Sequence, residues 1–180
     1  MKLFIGLGNP GAKYQGNRHN AGHMFIDWMK DTLNANTFQK SKSTDASYTW
    51  VQLNGEKTEL LKTGSFMNVS GGVVKGILTK HPETKLDQLY IVHDDLDIPF
   101  GKFKIQFGTG PKLHNGIRSI EESLGTEEFW RIRIGVDARP SNSGNSDRVD
   151  GETYSLQDFT PEEQQQLQSV FQTIYKQLTQ

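Results

Sequence analysis

Four short stretches concentrate side chains able to move protons or hold a substrate. Asn9 in "GLGNPG" is followed by His19 and Asn20 in "RHNAG"; Asn68 lies in "SFMNVSG"; His93, Asp94, Asp95 and Asp97 make up "HDDLD"; and His114 and Asn115 open "HNGIRS". Each stretch falls at a strand-to-helix or strand-to-loop junction, where open α/β sheets collect their sites. Together they offer an imidazole, an aspartate able to orient it, and asparagine amides that present donor and acceptor edges without adding charge. His19 taken alone reads as a helix-start residue bonding to solvent. It is the agreement among the four stretches that points to one cleft.

Other chemistries lack their parts. The three carboxylates beside His93 resemble metal ligands, but no second His- or Glu-rich cluster at ligand spacing accompanies them, so no metal is expected. His19 and His23 are four apart, as zinc ligands on a helix can be, yet Asn20 stands where H-E-x-x-H has its acid. There is no G-x-S-x-G and no cysteine, which argues against an acyl-enzyme. Gly6, Gly8 and Gly11 spell G-x-G-x-x-G, but a dinucleotide loop needs a helix starting at the glycines and an acid about 20 residues on. Here Pro10 and "AKYQGNRHN" delay the helix to about Asn20, and Asp27 and Asp31 lie within its pattern. No cofactor is expected.

The elements that must carry these residues follow from periodicity. Lys2 to Leu7 reads as a buried strand, and "AGHMFIDWMKDTLNA" as an amphipathic helix. "SYTWVQL" and "TELLK" flank Asn54-Gly55, a two-residue hairpin signal. "SGGVVKGILTK" reads as a helix, "QLYIVHD" as a short buried strand, "KFKIQF" as a half-exposed strand and "RIRIGV" as another strand. A helix is expected from about Ile117 to Leu124, closed by Gly125. Thr160, Pro161 and Glu163 form an N-terminal capping box for a last helix with Leu167, Val170, Phe171, Ile174, Tyr175 and Leu178 on one face. Pro140 to Gly151 reads as a mobile surface loop. The expected fold is α/β: a single-domain three-layer sandwich over residues 1–180, with a mixed central sheet flanked by helices.

The 180 residues contain no cysteine and carry a net charge of −1, so no disulfide framework and no global basic signature are expected. No apolar run reaches the roughly 20 residues of a membrane helix, and a cytoplasmic protein without membrane contact is expected. One stretch is locally basic: Pro99 to Arg118 holds Lys102, Lys104, Lys112 and Arg118 and no acid. Taken alone it reads as an edge strand whose lysines block pairing.

"GLGNPG..Y...RHNAG", "FMNVSG", "HDDLDIPFG", "HNGIRSI" and "FWRIRIG", in that order across most of the chain, resemble the bacterial-type peptidyl-tRNA hydrolases, and "YSLQDFTPEE" is similar to that family's C-terminal segment. The resemblance implies cleavage of the ester between a peptide and the 3′-terminal ribose of tRNA, recycling tRNA from aborted translation, by a monomer whose partner is peptidyl-tRNA. It implies His19 and Asp94 as catalytic residues, the histidine taking a proton from water, and no metal. Asn9, Asn68 and Asn115 match asparagines that hold the peptide and terminal nucleotide, and Tyr14 and Met67 match residues lining the cleft. Lys104 and Arg133 match residues that grip tRNA phosphate. A catalytically weak or inactive RNA-binding relative is the alternative. Two stretches depart from the resemblance: "GTGPKLHNG" has Pro111, Lys112 and Leu113 where small residues are typical, and Gln106 stands where a lysine is expected.

Overall fold

A computed structural model describes residues 1–140 and 149–180. Seven strands form one sheet in the order β2 (Gln39–Lys40), β3 (Ala46–Leu53), β4 (Glu56–Thr63), β1 (Lys2–Gly6), β5 (Leu89–Pro99), β7 (Trp130–Asp137) and β6 (Phe103–Phe107). β1 (Lys2–Gly6) lies at its centre, parallel to β4 (Glu56–Thr63) and β5 (Leu89–Pro99). A strand with neighbours on both edges and helices over both faces must be apolar throughout, and Leu3, Phe4 and Ile5 are almost completely buried. Leu3, Ile5 and Leu7 pack with Val74, Ile77, Ile117 and Ile120 from α2 (Ser70–Lys80) and α3 (Asn115–Leu124). Phe4 faces the opposite layer, with Phe25, Ile26 and Met29 of α1 (Ala21–Thr32) and Leu167, Phe171 and Ile174 of α5 (Pro161–Leu178). This is the expected three-layer sandwich with a mixed sheet.

The hairpin forms where expected. Asn54 and Gly55 both have positive φ, 52° and 76°, between β3 (Ala46–Leu53) and β4. At α5, Thr160 Oγ1 accepts from the Glu163 amide at 3.2 Å and a Glu163 carboxylate oxygen accepts from the Thr160 amide at 2.8 Å, closing the capping box.

Four elements differ from expectation. β5 continues through "HDDLD" to Pro99, because Asp94 and Asp95 pair with Ile134 and Gly135 of β7 (Trp130–Asp137) and their side chains find buried partners. α3 starts at Asn115, because His114 caps it with its own ring. The two-residue edge strand β2 (Gln39–Lys40) and the one-turn α4 (Gly151–Ser155) carry no periodic signal of their own. Of the loop expected between Pro140 and Gly151, residues 141–148 lie outside the described residues. β6 (Phe103–Phe107) is the expected half-exposed strand on the sheet's edge.

Close approach of α1 to the sheet is what the early glycines are for. A Cβ on Gly22 would stand 2.7 Å from the Leu7 amide nitrogen and closer still to the Val92 carbonyl. One on Gly8 would collide with the His23 ring, 2.6 Å from Nδ1. Both neighbours of Gly22 are backbone and cannot move aside. Gly22→Ala is therefore expected to cost about 3 kcal/mol or more, at or above the upper end of ordinary overpacking. Denaturant unfolding followed by far-UV circular dichroism measures it, and a loss below about 1 kcal/mol would mean that the helix can lift without cost.

Candidate active site

The ends of β1, β5, α1 and α3 meet at a cavity of about 820 Å³ lined by Asn9, His19, Met67, Asn68, Asp94, His114 and Asn115 among others. His19 sits in a single 3₁₀ turn, Arg18–Asn20, just ahead of α1. Its two neighbours are buried and hold the turn from both sides. The Arg18 guanidinium donates to Glu163 at 2.8 and 3.1 Å and lies over the rings of Tyr154 and Phe159, and Asn17 bonds Asp158. Asn20 Oδ1 accepts from the Asn9 amide at 2.9 Å while its Nδ2 donates to the Asn9 carbonyl at 3.0 Å, locking the two loops together.

Asp94 is the hub. One oxygen, Oδ1, lies 2.8 Å from His19 Nδ1 and 2.9 Å from His114 Nε2. The His114 tautomer follows from its other nitrogen: Nδ1 accepts from the Gly116 and Ile117 amides at 3.1 and 3.2 Å as the N-cap of α3, so the proton is on Nε2 and points to Asp94. An ionised Asp94 accepts from His19 Nδ1–H as well, which leaves His19 Nε2 with a free lone pair. Burial opposes charge on Asp94, but the two imidazoles, by charge and by hydrogen bonding, hold its carboxyl far below the usual range. Burial likewise opposes charge on His19, and the Asp94 carboxylate outweighs it, raising His19 above its ordinary value.

His19, Asp94 and His114 each offer a ligand atom within 4.8 Å of the others, the only such trio among the described residues. A cation there would need the lone pair of His114 Nε2, which carries the proton as long as Nδ1 caps the helix, and would need His19 to give up its bond to Asp94. The donor set is arranged to place protons. The zinc-like spacing of His19 and His23 is not used: His23 Nε2 faces Thr63 Oγ1 at 3.3 Å, and burial, with Lys62 adding to it, lowers this imidazole to about 3.

The asparagines are set out around this hub. Asn9 Oδ1 accepts from the Met67 amide at 2.9 Å, which turns its NH₂ the other way, with no bond to another described residue. Asn68 and Asn115 are exposed on the cavity lining and serve as caps for neither helix, since His114 caps α3 and α2 has no side-chain cap.

Residues 3–180 match the profile of the family described as peptidyl-tRNA hydrolase. The chain is 41% identical over 167 residues to the peptidyl-tRNA hydrolase of Frankia alni, covering 92% of this chain and 79% of that one. It is 45% identical over 148 residues to that of Geobacter metallireducens, covering 82% and 74%. The crystal structure of peptidyl-tRNA hydrolase from Acinetobacter baumannii superposes with a TM-score of 0.84 at 28% identity, over 99% of this chain and 86% of that one. The chain belongs to the peptidyl-tRNA hydrolase family.

Within this member of the peptidyl-tRNA hydrolase family, the nine residues for which the sequence implied a role fall as follows. His19, Asp94, Asn9, Met67, Asn68 and Asn115 all line the cavity. Tyr14 does not: its ring meets Phe66 edge-on at 6.2 Å, and it is Phe66 that reaches the lining. The expected phosphate pair separates. Lys104 is exposed on β6, whereas Arg133, directly opposite it in the ladder, is buried and ion-paired to Asp95 at 2.7 Å. Two further contributors, His114 and Asn20, stand among the polar stretches of the sequence but are given no role there. The signal available for both was the dipeptide His-Asn, present twice at a helix start, in "RHNAG" and "HNGIRS".

Proposed function

We propose that this protein hydrolyses the ester joining a peptide to the 3′-terminal ribose of tRNA, with His19 as general base. The observation that carries the reading is the single Asp94 oxygen shared by His19 and a tautomerically fixed His114, which leaves His19 Nε2 as the free base on the cavity. A water held at Nε2 gives its proton to the imidazole as its oxygen bonds to the ester carbonyl carbon. The imidazolium so formed is stabilised by Asp94 and returns the proton to the ribose oxygen as the ester C–O bond breaks. Asn9, Asn68 and Asn115 supply amide donors for the peptide, the terminal nucleotide and the developing oxyanion, and Met67 supplies apolar wall. A binding-only relative would have no use for this base and its orienting carboxylate.

Further parts of the proposal are a single domain that acts as a cytoplasmic monomer and meets tRNA phosphate through Lys104. No helix among the described residues is long and apolar enough to cross a membrane. Release of free peptide from peptidyl-tRNA by the purified protein tests the reaction, and the rate is expected to be the same with and without EDTA. No release in either condition would reject it; release abolished by the chelator would replace the general base with a metal-bound nucleophile.

A further inference from the structure

We infer that Leu113, with Phe66 and Leu156, is a specificity-determining residue that favours substrates whose esterified amino acid carries a bulky apolar side chain; the inference rests on the reaction proposed above. Six large apolar side chains stand exposed among the described residues, and three of them, Phe66, Leu113 and Leu156, line the cavity that holds His19. They come from three separate segments: the loop ahead of α2, the loop between β6 and α3, and the end of α4. Apolar residues scattered singly on a surface need no explanation, whereas convergence from three segments on one cleft marks a ligand surface.

Leu113 carries most of the argument. It is 93% exposed, against 53% for Phe66 and 44% for Leu156. Its backbone is nonetheless pinned on either side, by the Lys112 amide on Asp97 Oδ2 at 2.9 Å and by the His114 ring on Asp94 Oδ1 at 2.9 Å. A leucine held out by anchored neighbours is preorganised for a ligand, and burial against one removes its hydrocarbon from water. It is also one of the three residues of "GTGPKLHNG" that stand where small ones are typical in the resemblance, so the feature belongs to this chain.

The occupant follows from what the reaction brings to this rim. His19 Nε2 fixes the ester carbonyl, and His114, next to Leu113 in the chain, shares the Asp94 oxygen with His19, the two ring centroids being 5.1 Å apart. The side chain of the esterified residue leaves from the carbon next to that carbonyl. Of the substrate parts that enter the cavity, only this one can be purely hydrocarbon. The terminal nucleotide brings ribose hydroxyls, a phosphate and a flat base, which finds a ring at Phe66 but none at Leu113 or Leu156. Charge on the lining selects no ionic side chain: Arg118 is paired to Glu122 and Glu121 to Arg131, and Lys112 and Glu152 are of opposite sign.

Cleavage of one tRNA body carrying N-acetyl-leucine, N-acetyl-alanine or N-acetyl-aspartate, measured as kcat/KM with the wild type, Leu113→Ala and Leu156→Ala, tests the inference. The wild type is expected to favour the leucyl over the alanyl ester by about tenfold, the low end of discrimination by an apolar pocket because this rim is open to solvent, and not to favour the aspartyl ester. Leu113→Ala is expected to bring the leucyl-to-alanyl ratio down to about threefold or less, with a smaller drop in Leu156→Ala. Leu113 is so exposed that its truncation removes no core contact, and Leu156→Ala keeps the ratio measurable if Leu113→Ala does not fold. Equal kcat/KM on the leucyl and alanyl esters in the wild type, or a preference for the aspartyl ester, would overturn the inference, as would a ratio unchanged in both variants. A loss of the same size on all three esters would also overturn it, since the rim would then hold the part they share, the terminal nucleotide. No cleavage of any of the three would instead reject the proposed reaction, and the inference with it.

Discussion

His19→Ala is expected to lower kcat for peptidyl-tRNA by about 10² to 10⁴, the usual contribution of a positioned general base, with tRNA affinity nearly unchanged. The side chain is only partly exposed at the cavity, and its ring makes one hydrogen bond, to Asp94, so truncation removes the base without opening the core. Single-turnover cleavage and equilibrium tRNA binding separate the two effects. Wild-type turnover in the variant would remove His19 from the mechanism, while a loss confined to binding would make it a recognition residue.

Asp94→Asn is expected to lower kcat by about 10², less than His19→Ala, because the imidazole remains but its orientation and basicity are disturbed. A single asparagine oxygen could still accept from both His19 Nδ1 and His114 Nε2, as Asp94 Oδ1 now does, but as a neutral and weaker acceptor whose NH₂ is an added donor in place of the second carboxylate oxygen. The substitution also removes the negative charge that raises His19. Since the base form is the active one, activity is lost as pH falls through the His19 pKa. Taking away the raising influence therefore moves that limb to lower pH. Rate profiles for the two proteins measure both effects, and a rate and limb unaltered in Asp94→Asn would assign Asp94 to the fold alone.

The parts of this site that could be read from sequence are those whose signal is local. The glycine loop betrayed itself by the missing helix and missing acid, and the structure uses Gly8 and Gly22 to bring α1 down onto the sheet. The hairpin at Asn54-Gly55 and the capping box at Thr160 are written in two to four adjacent residues and form as read. What could not be read depends on pairing across the sheet. Arg133 in "RIRIG" looks like a surface cation because alternation does not reveal which face β7 turns toward Asp95, 38 residues earlier in the chain. His114 looks like a helix-start residue, which it is, and only the geometry shows that the nitrogen not used in capping is directed at Asp94. Tyr14 meets the cavity only through Phe66, whose ring it touches edge-on, a contact between residues 52 apart in the chain. The carboxylates of "HDDLD" suggested a metal by type, whereas in space each is taken by a nitrogen donor of the chain itself.

The claim that His19, charged or neutral according to the balance between burial and Asp94, is the base is tested most directly by the pH dependence of kcat/KM for peptidyl-tRNA in the wild type and in His19→Ala. The account predicts one acid limb in the wild type, centred above the ordinary histidine value of 6.5, and its absence from the residual activity of His19→Ala. The same limb persisting in His19→Ala would contradict it, since the titrating base would then be another group.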